Sequence, residues 1–193
     1  MNRQLILASS SPRRQELLTQ VKIPYDIRVA DVDESAVQTT DPYQRVEELA
    51  TLKGQSVPFH HDREVILAAD TLIAHENKIL EKPKDKAHAR DMLNTLSGNS
   101  HDVLTGVMIR SKEKETSFVV RTKVEFWPLD PEDIERYIAT DEPYDKAGAY
   151  GIQSLGAMFV KQLIGDYYNV MGLPLSKVVR TLKGFNIYAN LSE

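Results

Sequence analysis

A chain of 193 residues with 41% hydrophobic and 27% charged residues has the length and balance for one sizeable core, so a single domain over 1–193 is expected. Its net charge of −4 argues against broad nucleic-acid binding, which needs a basic surface, and suits a local basic pocket for a small anionic ligand. The absence of cysteine excludes disulfides, thiolate metal sites and a cysteine nucleophile. The apolar run Leu5 to Ala8 is too short for a signal peptide and nothing reaches transmembrane length, so a cytoplasmic protein with no membrane partner is expected.

Leu5 to Ala8 suits a short strand buried on both faces. Ser11 reads as an N-cap and Pro12 as the first residue of a helix. Arg13 and Arg14 then fall in the first turn, where the helix dipole favours acids. Two cations there, beside Ser9, Ser10 and Ser11 and free backbone N–H groups, suit a polyanion such as a phosphate chain; the alternative is a turn with solvated arginines. Tyr25 to Ala30 alternates as a strand, and Asp31-Val32-Asp33-Glu34 is either a solvated turn or part of a divalent-metal site. Asp41-Pro42 opens a helix with Val46, Leu49 and Ala50 on one face and Lys53 near its end. His60-His61-Asp62 reads as a polar connection, with metal binding as the alternative.

Val65 to Ala74 is the most apolar strand, interrupted by Asp70-Thr71. An acid in such a run must be paired or bound to metal, which makes Asp70 a functional candidate on physical grounds. Asn77 turns the chain, and Ile79-Leu80 returns as a hairpin partner. Asp85 caps a structural helix with Ala89, Met92, Leu93 and Leu96 inward, ended by Gly98. His88 and His101 lack a second histidine at ligand spacing and read as structural. Val103 to Arg110 and Phe118 to Phe126 form an antiparallel pair with Trp127 packed at its end. Asp130-Pro131 opens a helix with Ile134, Tyr137 and Ile138 buried, Asp145 to Gly156 is a glycine-rich loop, and Phe159 to Leu163 is a strand. Gly165 to Tyr168 is a turn, and Gly172-Leu173-Pro174 leads into a last helix with Val178, Val179 and Leu182 inward. This order of elements is α/β with a mixed sheet.

Five of these segments, in order, resemble the blocks of the Maf family of nucleoside triphosphate pyrophosphatases. They are Ala8-Ser9-Ser10-Ser11-Pro12-Arg13-Arg14, Ala69-Asp70-Thr71, Glu81-Lys82-Pro83, Leu96-Ser97-Gly98 and Asp145 to Gln153, within a likeness that spans residues 5–183. Where the family usually carries Lys-Ala, this chain has Lys53-Gly54, and glycine should loosen the last turn of that helix without removing the lysine. The resemblance implies a curved mixed central sheet in two lobes with helices packed on it, related to inosine triphosphatases, with the active site in the cleft between lobes. It implies an active-site role for Glu34, contact of Lys82 with substrate phosphates, and a homodimer.

Hydrolysis between the α- and β-phosphates requires charge neutralisation, an aimed water and a proton acceptor. Ser9, Arg13, Arg14, Lys53 and Lys82 can bind the phosphates. Glu34 and Asp70 can hold a divalent ion, magnesium by preference for hard oxygen ligands and manganese as the alternative. Asp70 is the candidate proton acceptor, and its metal-ligand and base roles stay open. Arg13, Thr71 and Gln153 stand where subgroups of the family differ, and this combination resembles the dTTP/UTP-hydrolysing subgroup, with CTP and modified pyrimidine triphosphates as further substrates and removal of nonstandard nucleotides as the implied role. A glutamine amide suits the carbonyl and N3–H edge of uracil or thymine; a tie within its own loop is the structural alternative. Two other classes compete: a nucleotide-binding regulator of septum formation without essential catalysis, which has no need of Asp70, and a phosphatase, which lacks its Asp-x-Asp nucleophile where Ser9-Ser10-Ser11 stands. No Walker-type phosphate loop is present.

Overall fold

The first apolar run forms strand β1 (Gln4–Leu7), whose Leu5, Ile6 and Leu7 are at most 1% exposed. The structure, a computed structural model, describes residues 3–29 and 31–191. Helix α1 (Pro12–Gln20) follows with Ser11 at its N-cap and Pro12 first. The Ser11 side chain makes no cap bond; its backbone N–H donates instead to Ser9 Oγ at 3.3 Å. Of the strand expected over Tyr25 to Ala30, only β2 (Asp26–Ile27) pairs, and both of its residues are exposed. It lies at the sheet edge with β1 as its one partner, so no buried face extends it; Ala30 lies outside the described residues.

The next helix, α2 (Pro42–Ser56), starts where Asp41 accepts from the Gln44 N–H at 2.8 Å, and it buries Val46, Leu49 and Ala50. Its last turn is not loosened at Lys53-Gly54. Gly54 is buried, and a Cβ there would come within 2.9 Å of Met108 Sδ, so the glycine serves close packing while the helix runs on to Ser56. Strand β3 (Glu64–His75) turns through Glu76 and Asn77, both at positive φ, into β4 (Lys78–Leu80). Helix α3 (Lys86–Leu96) is capped by Asp85, and β5 (Ser100–Arg110) pairs antiparallel with β6 (Glu115–Phe126) as expected. Helix α4 (Pro131–Ile138) and strand β7 (Val160–Ile164) follow. The turn expected at Gly165 to Tyr168 opens a short helix, α5 (Tyr167–Met171), because Asp166 caps it by accepting from the Tyr168 N–H at 2.9 Å. The chain closes with α6 (Leu175–Lys183). Trp127 is 52% exposed rather than packed, with Lys161 Nζ 5.3 Å from its ring centre.

Among the described residues seven strands form one mixed sheet in the order β2-β1-β3-β5-β6-β7, with β4 beside β3. β1 runs parallel to β2 and β3, and the remaining pairs are antiparallel. The two-residue period of β3 assigns its side chains to two layers. Ile66, Ala68, Leu72 and Ala74 pack with Val46 and Val57 of the α2 segment. Val65, Leu67 and Ala69 join Leu17 and Leu18 of α1 and Val178 and Leu182 of α6. Ile73, farther along that face, belongs to a separate cluster with Leu93 and Leu96 of α3 and Ile134, Tyr137 and Ile138 of α4. One face of the sheet thus carries two apolar clusters, and burial of each large aliphatic side chain in them contributes about 1.5–3 kcal/mol.

Candidate active site

Asp70 and Thr71 interrupt the apolar run of β3 at its middle, and the strand period sends them to opposite layers. Asp70 shares the side of α2. Its Oδ1 lies 2.5 Å from Lys53 Nζ, and the same ammonium lies 2.8 Å from Glu34 Oε1. Glu34 sits on a short 3-10 turn, Glu34–Ala36, shaped by Asp33, which accepts from the Ser35 N–H at 3.0 Å.

The reach of Lys53 depends on how closely α2 approaches the sheet. Gly106 of β5 is the register partner of Asp70, and a Cβ on it would stand 2.2 Å from the carbonyl oxygen of Val46. Val46 and Lys53 are two helical turns apart on one stripe, so seating Val46 against bare backbone brings Lys53 to Asp70. The side chains of Lys53 and Asp70 are 21% and 15% exposed. Burial alone would lower the pKa of Lys53; the facing Asp70 and Glu34 carboxylates outweigh it and raise it.

Thr71 faces the α1 and α5 side. There the Arg14 guanidinium donates to Ser9 Oγ at 3.0 Å, to Thr71 Oγ1 at 3.2 Å and to the Gly172 carbonyl at 2.8 Å. Burial lowers the pKa of Arg14, the charge of Asp70 opposes that, and the group stays cationic. Thr71 Oγ1 also lies 2.9 Å from Thr105 Oγ1, which donates to the Asn169 carbonyl at 3.1 Å. Arg14 is therefore held by three chain segments, and the Thr71 hydroxyl is engaged by it.

Arg13 Nη1 lies 3.6 Å from Asp145 Oδ2, linking α1 to the glycine-rich segment. The loop expected over Asp145 to Gly156 contains two short 3-10 turns, Ala147–Ala149 and Leu155–Phe159. It docks beside the hairpin, where the Gly148 N–H, at φ +68°, donates to the Glu81 carbonyl at 3.1 Å. Lys82 and Gln153 are exposed at the cleft surface, and the Gln153 side chain makes no hydrogen bond among the described residues.

Ser9, Arg13, Arg14, Glu34, Lys53, Asp70, Thr71, Lys82 and Gln153 all line one cleft of about 540 Å³. That volume suits a nucleotide-sized ligand. Asp31, from the acidic run expected to be a solvated turn or part of a metal site, lines it too, as do Lys146 and Tyr150, to which the sequence reading assigned no role. Lys146 sits inside the Asp145 to Gln153 block, where its Nζ binds Asp145 Oδ1 at 2.6 Å and the Glu142 carbonyl at 2.8 Å. Tyr150 is buried, with its hydroxyl 2.7 Å from His101 Nε2. His101 has the structural place expected of it: it packs edge-on against Phe126, and burial pushes its pKa down to about 3. Among the described residues no three His, Asp or Glu side chains gather as a metal-holding group, but Glu34 and Asp70 converge on one cationic point. Two hard carboxylates around one such point fit a divalent ion completed by phosphate oxygens and water.

Among the described residues no helix is long and apolar enough to cross a membrane. Comparison with solved structures shows a fold similar to that of a HAM1 protein from Coxiella burnetii, with a TM-score of 0.50 at 13% identity over 94% of this chain and 99% of that one. The chain is 48% identical over 184 residues to a dTTP/UTP pyrophosphatase of Bacillus cytotoxicus, covering 95% of this chain and 96% of the relative. It is 48% identical over 185 residues to a dTTP/UTP pyrophosphatase of Bacillus cereus, covering 96% and 97% respectively. Residues 4–185 match the family described as Maf-like protein, and the chain belongs to that family.

Proposed function

We propose that this protein hydrolyses pyrimidine nucleoside triphosphates, dTTP and UTP foremost, to the monophosphate and pyrophosphate. The observation that carries the reading is Asp70, an acid on an apolar strand, held beside Glu34 and Lys53 in a cleft that also presents Arg13, Arg14, Lys82 and Gln153. The names of the two Bacillus relatives support the same activity.

Arg13, Lys53 and Lys82 neutralise the phosphate chain, and Arg14 orders the Ser9 turn beneath it. Asp70 Oδ1 is taken by Lys53, while Oδ2 has no hydrogen-bond partner among the described residues and is the atom to accept the proton of the attacking water. Glu34 and Asp70 would hold magnesium, with manganese as the alternative; that ion supplies charge neutralisation and polarisation of the phosphate oxygens. Gln153, with its amide uncommitted, can donate to a pyrimidine carbonyl and accept from N3–H together. A regulator that only binds nucleotide would not need the Asp70 carboxylate. Exposed Trp127, Met158 and Ile164 on and beside edge strand β7 support a homodimer, which sedimentation at micromolar concentration tests.

The test of function is product analysis with magnesium and a panel of triphosphates. Pyrophosphate and a nucleoside monophosphate are expected. Orthophosphate from the γ position, or full activity in excess chelator, overturns the proposal.

A further inference from the structure

Tyr150 and Gly156 are buried and Ile152 rests against the α1 and α6 cluster, so only the tip of the loop that bears Gln153 has little packing of its own. Gln153, Ser154 and Leu155 are exposed, Leu155 at 52%. Its shape rests instead on Glu142, which does not line the cleft. Glu142 Oε1 accepts from the Tyr137 hydroxyl at 3.1 Å and from the Gly156 N–H at 3.0 Å, and Oε2 accepts from the Leu155 N–H at 3.0 Å. Its backbone carbonyl takes Lys146 Nζ at 2.8 Å. One residue therefore ties helix α4, Lys146 and the closing end of the loop, two residues beyond Gln153.

The fold of the loop around this carboxylate is close. A Cβ on Gly156 would stand 2.6 Å from the Gly151 carbonyl oxygen and 3.0 Å from the Tyr137 hydroxyl. Burial raises the pKa of Glu142, but the donors around it outweigh burial and hold the group below its ordinary value, so it stays an acceptor at both oxygens.

We propose that Glu142 is a positioning residue for substrate specificity: its carboxylate fixes the loop so that the Gln153 amide meets the pyrimidine edge. This rests on the reading of Gln153 as the base-contacting residue. The chemistry distinguishes a carboxylate from its isostere, because an amide offers an acceptor on one side and a donor on the other. Glu142→Gln leaves either Leu155 or Gly156 with its N–H facing another donor.

The experiment compares Glu142→Gln, Gln153→Ala and the double variant on UTP and GTP, with amide hydrogen exchange of the loop. For Glu142→Gln the KM for UTP should rise about fivefold or more, because the Leu155 N–H of the exposed bond or the Gly156 N–H of the half-buried one is left facing a donor, while kcat stays within about twofold. The Leu155 and Gly156 amides should exchange faster, and the double variant should lose no more selectivity than Gln153→Ala alone. Unchanged selectivity in Glu142→Gln, with selectivity lost in Gln153→Ala, overturns the positioning role and keeps Gln153. Lost selectivity in Glu142→Gln with none lost in Gln153→Ala overturns base contact by Gln153 and keeps Glu142 as the anchor of the loop. Should Glu142→Gln not fold, the wild type still decides: unprotected Leu155 and Gly156 amides overturn the proposal.

Discussion

The ammonium of Lys53 and the carboxylate of Asp70 stand 2.5 Å apart, although 17 residues separate them and they lie on different elements. The helix brings the cation and the strand brings the acid, and only their packing makes them a pair. Asp70→Asn keeps the shape and removes the charge that proton acceptance requires. Turnover should fall about a hundredfold or more, the scale of a lost general base. Folding should survive, because a neutral amide is easier to bury than a carboxylate. Near-normal kcat in this variant would place the proton acceptor elsewhere.

Lys53 also occupies the point that Glu34 and Asp70 share. Lys53→Met leaves two carboxylates converging without a cation. In the absence of nucleotide, calorimetry should find magnesium bound at least about tenfold tighter than by the wild type, as expected when a competing charge at contact distance is removed. Equal affinity would show that the two carboxylates do not jointly hold the ion.

Gly106→Ala tests the seating of α2. The added Cβ would meet the Val46 carbonyl oxygen at 2.2 Å, so the helix must move. Overpacking of this kind costs about 1–3 kcal/mol, and the shift should withdraw Lys53 from Asp70. Thermal melting should show the lost stability and assays a lower kcat/KM. Unchanged values would mean that Lys53 reaches Asp70 without that close contact.

Gln153→Glu replaces a donor-and-acceptor amide with acceptors alone. Hydrolysis of UTP and dTTP should fall at least about tenfold relative to a guanine triphosphate, because carbonyls would then face a carboxylate. The readout is kcat/KM on all three substrates. An equal drop on each assigns Gln153 to the loop and not to the base.

Two buried groups outside the phosphate-binding residues should contribute to the loss of stability in acid. Glu64 accepts both nitrogens of Arg28, at 2.6 and 2.9 Å, and the His60 N–H at 2.8 Å. The hydrogen bonds from Arg28, against the opposing effect of burial, lower its pKa from 4.5 to about 2. The unfolded chain therefore binds that proton first, and stability present above pH 4.5 is lost as pH falls toward 2. Burial lowers the pKa of His101 from 6.5 to about 3, so its contribution is present above 6.5 and is lost as pH falls toward 3. Melting temperature should decline in two overlapping steps below pH 6.5. Glu64→Gln should flatten the lower step while lowering the neutral-pH melting temperature, because Arg28 loses its charged partner. A wild-type melting curve independent of pH over this range would contradict both assignments.

Much of this protein is written in local chemistry. Ser11-Pro12, Asp41-Pro42, Asp85 and Asp130-Pro131 mark helix starts because a cap or a fixed φ acts within a few residues. The apolar run around Asp70 marks both the central strand and its exceptional acid, since burial of a charge is a cost visible from composition alone. Local patterns misjudged β2, where an edge strand had only one partner, and α5, where the Asp166 cap outweighed turn-forming residues. What the tertiary structure decided was distance. The pairing of Lys53 with Asp70 depends on bare backbone at Gly106 in another strand, and the engagement of Thr71 depends on Arg14, 57 residues away. Glu142 had no signal of its own, because a carboxylate in a turn becomes an anchor only when the N–H groups of Leu155 and Gly156 are folded back onto it. The sequence by itself determined which groups carry the charge and where elements begin; contacts between distant segments, which no local periodicity encodes, determined which of those groups meet.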